Sequence, residues 1–521
     1  MAAAVLAGAG CGPAGGGLRL HPASAMVRIG GPGGMVTPPA RGSYTLTLAG
    51  NESEAMQVRV TSAADPRPLA VGVTVETLPP PAGAGETPSA YQPTVTAYQV
   101  LAVHHPGPAE HASFQVPKRN VGWIPDVCLP ATTAVAQPHE PEAVTFLFDV
   151  HAPPIDPSGG PVTRTVRLSF RRQGAPAEAA AQLHLTVAVH PYNLPRRLPF
   201  KTAVTWNWNI DKYLGRSLTE AERAAYLGFF GRHRFTPASF WSIGPDMSEE
   251  EVRRVRDAGG NVFQLFGRGG RRALTDQQKQ DLAPKLAGWR EMMKRAGALD
   301  DCYALVADEP AEEYIPNIRD TAAWLKGVFP EVHIWVATAP RKDLLDVVDC
   351  WDVVTAASTE LYAAHCHSPA GLAMARAAPG KPEYWWFYSV EPYAPHANAR
   401  LDDALVDSRA IGWMSYAAGV DGFEYFWATD WAANADLRDV PWPAKAARWK
   451  TGLSGAGQLC YPDDAGLPIP SLRLINLRDA MEDWAAFHLA GPAFRQQAPP
   501  QVRDPRRLAQ LRHAADTAVG R

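Results

Sequence analysis

The chain has 521 residues, 46% hydrophobic and only 20% charged, which is room for about two to four domains with sizeable cores. Its 50 Lys and Arg nearly balance 53 Asp and Glu, giving a net charge of −3, which argues against a protein that grips nucleic acid by its phosphates. No run of 18 apolar residues occurs, so a spanning helix is excluded, and 43 Gly with 48 Pro exclude a coiled coil.

The first 17 residues are small and apolar and hold Cys11 within Ala7-Gly-Ala-Gly-Cys-Gly12. This is similar to the end of an export signal, lipoprotein signals included, although no positive segment precedes it and Gly8 stands where Leu is usual. Residues 1–30 are therefore expected to be an export signal or a disordered leader. The protein is expected to be secreted, periplasmic or lipid-anchored and, from its Ala-, Arg-, Gly- and Pro-rich composition, bacterial. From Ser43 onward the pattern alternates with period two: Met56, Val58 and Val60, then Val166, Leu168 and Phe170, then Leu183, Leu185, Val187 and Val189. Alternation marks strands buried on one face, and about seven such strands separated by turn-rich stretches predict a β-sandwich over 31–198. Pro191 to Pro199 breaks the pattern and sets a boundary.

Beyond it, eight short apolar runs alternate with mostly helical stretches. The runs are Thr202–Trp208, Pro237–Trp241, Asn261–Phe266, Cys302–Ala307, His333–Thr338, Trp351–Ala356, Glu383–Tyr388 and Gly422–Trp427. Eight strands with intervening helices predict a (β/α)₈ TIM barrel over 199–490, leaving 491–521 as a C-terminal extension. An open α/β sheet is the other architecture considered, but no Gly-rich turn follows the first strand. Gly267-Arg-Gly-Gly270 lacks the Gly-Lys-Ser/Thr ending of a phosphate loop and reads as a turn. The six cysteines form no Cys-x-x-Cys pair. His365-Cys366-His367 has metal-ligand chemistry but reads more simply as a loop, so no metal and no cofactor are expected.

Barrel chemistry gathers where strands end. The fourth strand ends in Ala307-Asp-Glu-Pro310. Two adjacent carboxyls cannot both ionise freely, so one keeps its proton toward neutral pH, as a general acid must. The simpler reading is a helix start, with Asp308 as cap and Glu309 facing the helix dipole. Pro310 pushes Glu309 out of helical dihedrals and toward an extended exit. Aromatic residues crowd the other ends: Trp206, Trp208, Trp241, Trp386 and Tyr388, then Trp427 and Trp431. Indole faces pair with the C–H face of a sugar ring, so the set suggests a carbohydrate pocket. Half of these rings are equally explained as barrel core.

Residues from Asn51-Glu-Ser-Glu-Ala-Met-Gln57, Trp123-Ile-Pro-Asp-Val-Cys-Leu-Pro130 and Phe146-Leu-Phe-Asp-Val-His-Ala-Pro153 to Ala307–Pro310, Gly422-Phe-Glu-Tyr-Phe-Trp-Ala-Thr-Asp-Trp431 and Leu472–Trp484 carry a family resemblance in order along the chain. The chain resembles glycoside hydrolase family 123 and the wider family that shares its catalytic domain. The resemblance implies an exo-acting β-N-acetylgalactosaminidase with substrate-assisted catalysis, in which the sugar's acetamido oxygen attacks its own anomeric carbon. Asp308 would hold the acetamido N–H, and Glu309 would protonate the leaving oxygen and then activate water. Trp386, Tyr388 or Trp427 would wall the acetamido group, and Asp430 would bind a sugar hydroxyl. The implied substrate is a glycan with a terminal N-acetylhexosamine.

Two alternatives remain. Glu391, following the seventh strand, fits the nucleophile of a retaining glycosidase with Glu309 as acid/base, which needs carboxyls about 5 Å apart and no acetamido group. A non-catalytic carbohydrate-binding protein is the third reading. For the N-terminal region, glycan binding, packing against the barrel and a homodimer interface all stay open.

Overall fold

The computed structural model describes residues 17–30, 38–62, 67–79, 91–106, 121–207, 209–497, 499 and 501–520. Among these, one compact unit holds the residues up to 104, 121–194 and 516–520, and a second holds 105–106 and 195–515.

The first unit is rich in sheet. One five-stranded sheet contains β1 (Leu18–Ser24), β3 (Glu52–Ser62), β8 (Ala143–Ala152), β5 (Thr94–His105) and β6 (Gly122–Pro130), in that order. The other contains β2 (Ser43–Gly50), β10 (Ala181–Asn193), β9 (Val162–Arg172), β4 (Ala70–Thr77) and β7 (Thr133–Val135). The period-two residues explain the burial. Leu183, Leu185, Val187 and Val189 of β10 are buried, while the residues between them are not. They join Met56, Val58 and Val60 from the other sheet in one core, where Phe146 and Phe148 meet Phe170 at 5.7 and 5.9 Å.

Two sequence expectations change here. Leu18–Ser24 was assigned to a leader ending at residue 30, but it pairs along its length with β3 as strand β1. Its Leu18, Leu20 and Ala23 are buried, so it has a core to belong to. The described strands of the two sheets, ten in all, also exceed the expected seven. Cys11 lies outside the described residues.

The second unit carries eight parallel strands in one sheet: β11 (Lys201–Thr205), β12 (Thr236–Ala238), β13 (Phe263–Gly267), β14 (Cys302–Asp308), β15 (His333–Ala337), β16 (Cys350–Val354), β17 (Glu383–Tyr388) and β18 (Gly422–Tyr425). The sheet order β12-β11-β18-β17-β16-β15-β14-β13 makes a nearly closed barrel. The seam lies between β12 and β13, where a single antiparallel bridge joins Ile243 to Phe266. Each strand falls within a few residues of an expected apolar run.

Helices α1 (Ile210–Leu214), α2 (Glu220–Arg232), α3 (Glu249–Asp257), α4 (Asp276–Ala296), α5 (Ile315–Val328), α6 (Pro369–Ala377) and α7 (Leu405–Ala418) lie between the strands. The alternation is incomplete, because only turns join β15 to β16. The starts of α2 and α3 are capping boxes, Thr219 with Glu222 and Ser248 with Glu251. Tyr303, Leu305, Trp335, Ala337, Cys350, Val354, Trp385 and Phe387 fill the interior, with Trp335 and Trp385 5.1 Å apart. Gly422 leaves room for that packing, since a Cβ there would fall 2.6 Å from Trp385.

After β18 come a hairpin of β19 (Cys460–Pro462) and β20 (Pro468–Pro470), then α8 (Leu472–Leu489) and α9 (Pro505–Val519). Helix α8 is buried nearly throughout, charges included. It tolerates them because they are paired: Asp483 takes Arg409 at 2.7 Å and Arg512 at 3.0 Å, and Arg473 donates to the carbonyls of Ala399 and Gly455. No described helix is long and apolar enough to cross a membrane.

Candidate active site

Strand β14 delivers Asp308 at its last position, beside Ala337 of β15, which in turn pairs with Asp352 of β16. Glu309 follows. Its N–H still donates to the Ala337 carbonyl at 3.0 Å, but its φ is +44°. The expected extended exit is thus replaced by a left-handed residue. Pro310 bars the helical region, and the retained β15 hydrogen bond selects the left-handed one, an uncommon conformation for a side chain with a Cβ. Helix α5 begins only at Ile315, so Asp308 and Glu309 are not its cap.

Both carboxyls are partly buried. Burial pushes Asp308 up to about 6, opposed by the Arg271 guanidinium. Burial pushes Glu309 up to about 8, with the Asp308 and Glu391 carboxyls adding to the rise and the Tyr362 hydroxyl opposing it. Near pH 7, Glu309 therefore keeps its proton while Asp308 is largely charged. That division of labour is what an acid and an electrostatic partner require.

Glu391 has no exposed surface. Its oxygens accept the Ser358 N–H at 2.8 Å and the Thr359 hydroxyl. The residue is close enough to Glu309 to act on it, yet its hydrogen bonds go to the loop after β16.

Two further carboxyls escaped the sequence reading. Asp352 shares its strand face with the inward-facing Cys350 and Val354, accepts the Trp335 indole N–H at 3.2 Å, and has a second oxygen with no hydrogen-bond partner among the described residues. Glu424 of β18 is 5% exposed and likewise has one unpartnered oxygen. Burial drives both well above the usual carboxylate range, with Asp308 contributing to each. A polar residue inside an apolar strand run was the available signal, and reading only strand ends missed it.

The aromatic set divides. Trp206, Tyr388 and Trp431 are fully buried. Trp206 packs on Tyr226, Tyr388 on Phe423, and the Trp431 indole donates to the Cys460 carbonyl at 3.0 Å. With no accessible face they have nothing to offer a sugar ring, so their assignment to substrate binding is corrected to core. Trp386 is 4% exposed and edged by His367. Trp427 is half-buried and stacks on Phe426, while Trp241 is 44% exposed. Trp208 lies outside the described residues. Asp430 accepts from Asn209 at 3.1 Å, and its burial raises its pKa.

The His365 ring bonds Thr338 and the His367 ring bonds Tyr384. Among the described residues, no group of three or more His, Cys, Asp or Glu is arranged to hold a metal ion.

Among solved structures, the chain is similar to a family 123 glycoside hydrolase from Clostridium perfringens analysed for glycolipid glycan hydrolysis. The two are 11% identical over 97% of each chain, with a TM-score of 0.64, a likeness of fold. The CooA pilin subunit of enterotoxigenic Escherichia coli matches 33% of this chain and 97% of its own, at 9% identity and a TM-score of 0.17. No curated protein matches the chain. Residues 235–490, which span β12 to α8 and include Asp308, Glu309, Asp352, Glu391 and Glu424, match the catalytic-domain model of glycoside hydrolase 123. Those residues therefore carry a catalytic domain of the glycoside hydrolase 123 type.

Proposed function

We propose that the chain is an exo-acting β-N-acetylgalactosaminidase working by substrate assistance. The supporting observation is the pair at the end of β14: a Glu309 that keeps its proton to about pH 8 beside an Asp308 that loses its own near pH 6. In this reading, charged Asp308 accepts the acetamido N–H and turns its carbonyl oxygen toward the anomeric carbon. That oxygen displaces the aglycone as Glu309 gives its proton to the leaving oxygen. Charge on the oxazolinium-like intermediate is then balanced by Asp308, and Glu309, now ionised, takes a proton from the attacking water. Trp427 and Trp241 keep exposed surface for sugar contact, and Trp386 contributes at most an edge. The glycan substrate class suits the secreted, periplasmic or lipid-anchored placement inferred from the N-terminus.

The covalent route through Glu391 is less well supported, because Glu391 has no exposed surface and its oxygens already accept hydrogen bonds from Ser358 and Thr359. The non-catalytic reading leaves the divided acidity of Asp308 and Glu309 without a purpose.

The test is hydrolysis of a matched pair of aryl β-glycosides, one N-acetylgalactosaminide and one galactoside. Cleavage of the acetamido sugar alone is expected, with Asp308→Asn lowering kcat by about 10²-fold or more and Glu391→Gln affecting stability more than the choice of substrate. Cleavage of the galactoside at a similar rate would move the assignment to Glu391.

A further inference from the structure

The loop after β13 reads Arg268-Gly-Gly-Arg-Arg272, and its backbone is fastened to β14 just before Asp308. The Arg268 N–H donates to the Leu305 carbonyl at 2.9 Å. Gly270 has a φ of +72°, and a Cβ there would fall 2.6 Å from that of Ala307, so the glycine allows the loop to lie against the strand. Asn317 of α5 donates to the Arg271 carbonyl at 3.3 Å. These three contacts fix three arginine α-carbons beside the strand end that carries the catalytic pair.

The backbone is held, but the guanidinium groups are not. None of the three makes an ion pair or a side-chain hydrogen bond among the described residues. Arginines on neighbouring elements behave differently: Arg290 pairs with Glu331, Arg319 with Asp346 at 2.7 Å and Arg341 with Glu312 at 2.6 Å. Arg271 and Arg272 are exposed and Arg268 is half-buried. Arg271 acts electrostatically on Asp308, which sets this loop within reach of a sugar bound there. One carboxyl cannot balance three guanidinium groups. Arginine forks match the two-oxygen geometry of sulfate and carboxylate, and a bound sugar would displace the water that screens them.

We propose that Arg268, Arg271 and Arg272 form an anion subsite, so that the natural glycan carries a sulfate ester or a carboxylate on the amino sugar or on the sugar next to it. The proposal rests on Asp308 and Glu309 marking the cleavage site.

Three probes test it: aryl β-N-acetylgalactosaminide, its sulfate esters, and a disaccharide of N-acetylgalactosamine and a uronic acid set against its neutral twin. Affinity is measured by calorimetry on the Glu309→Gln protein, so that nothing turns over, and hydrolysis on the wild type. An anionic probe should bind roughly tenfold tighter than its neutral twin, and that gap should shrink as salt rises. In the added Arg268→Gln/Arg271→Gln/Arg272→Gln background, the gap should fall within about twofold. A gain for the sulfates identifies an ester, and a gain for the disaccharide identifies a uronic acid. Equal affinity for charged and neutral twins overturns the subsite without needing any arginine variant, and a gap that survives the triple replacement overturns it too. If no probe is hydrolysed while the anionic preference holds, the subsite stands and the reading of Asp308 and Glu309 fails.

Discussion

If Asp308 must be charged and Glu309 protonated, the rate has to follow a bell in pH. With one carboxyl near 6 and the other near 8, the competent form peaks midway. It makes up about 80% of the enzyme at pH 7 and about a tenth at pH 5 or pH 9. The two groups interact, so the limbs report the pair and not each residue alone. The assay is kcat/KM for an aryl β-N-acetylgalactosaminide from pH 4 to 10, where the free enzyme's groups appear. Asp308→Asn should then lower the upper limb as well as the rate, because the Asp308 carboxyl contributes to the rise of Glu309. A plateau running from pH 5 to 9, or one descending limb below pH 6, would show that the two acidities are not divided and would refute the assignment of roles.

The same acidities bear on stability. Both folded-state values lie above those of an unfolded chain, so these carboxyls stabilise the fold fully below the ordinary carboxyl range and lose that contribution as pH rises through about 6 and about 8. Glu309→Gln should therefore melt roughly 2–4 °C above wild type at pH 9 and close to it at pH 5, by scanning fluorimetry. An unchanged difference between the two pH values would count against a buried, protonated Glu309. Asp352→Asn should leave the acid limb of the rate profile nearly in place, since a protonated carboxyl and an amide are alike in charge. A fall of about one unit would mean Asp352 carries charge in the native barrel. Trp241→Ala should raise KM while barely moving the melting temperature, whereas Trp431→Ala should cost about 3–5 kcal/mol of stability through its cavity. Equal melting temperatures for these two variants would contradict their burial.

The barrel was legible because each strand is a short apolar run closed by turn residues, and β17 ends at Tyr388 as the run itself does. The Asp308–Glu309 pair was legible because both residues follow such a run. What stayed hidden depends on neighbours. Trp206 and Trp241 look alike in sequence, but Trp206 packs under Tyr226 of α2 and is buried while Trp241 is 44% exposed. Asp352 and Glu424 look like ordinary strand residues until alternation is read against the inward set of Cys350, Val354 and Phe387. The left-handed Glu309 follows from a hydrogen bond to β15, a strand some thirty residues on, which no local rule supplies. Strand β1 was lost for the opposite reason, because Gly- and Pro-rich flanks outweighed seven residues that find a partner only in β3.

The placement of charge in the barrel mouth gives these residues a common logic. Five carboxyls, Asp308, Glu309, Asp352, Glu391 and Glu424, gather where water is scarce, and so many negative charges in a low dielectric would repel one another strongly. The barrel answers with protons where it lacks cations: Asp352 and Glu424 are driven to their neutral forms, and Glu309 keeps its proton to about pH 8. The Arg271 guanidinium opposes the rise of Asp308, so of the adjacent pair Asp308 ionises before Glu309. A covalent mechanism would require a second ionised carboxyl, as nucleophile, within reach of the first. Substrate assistance asks for only one, because the nucleophile arrives with the sugar. The carboxyl that a covalent route would use, Glu391, is fully buried and already holds Ser358 and Thr359, so this barrel suits the mechanism that brings in its own nucleophile.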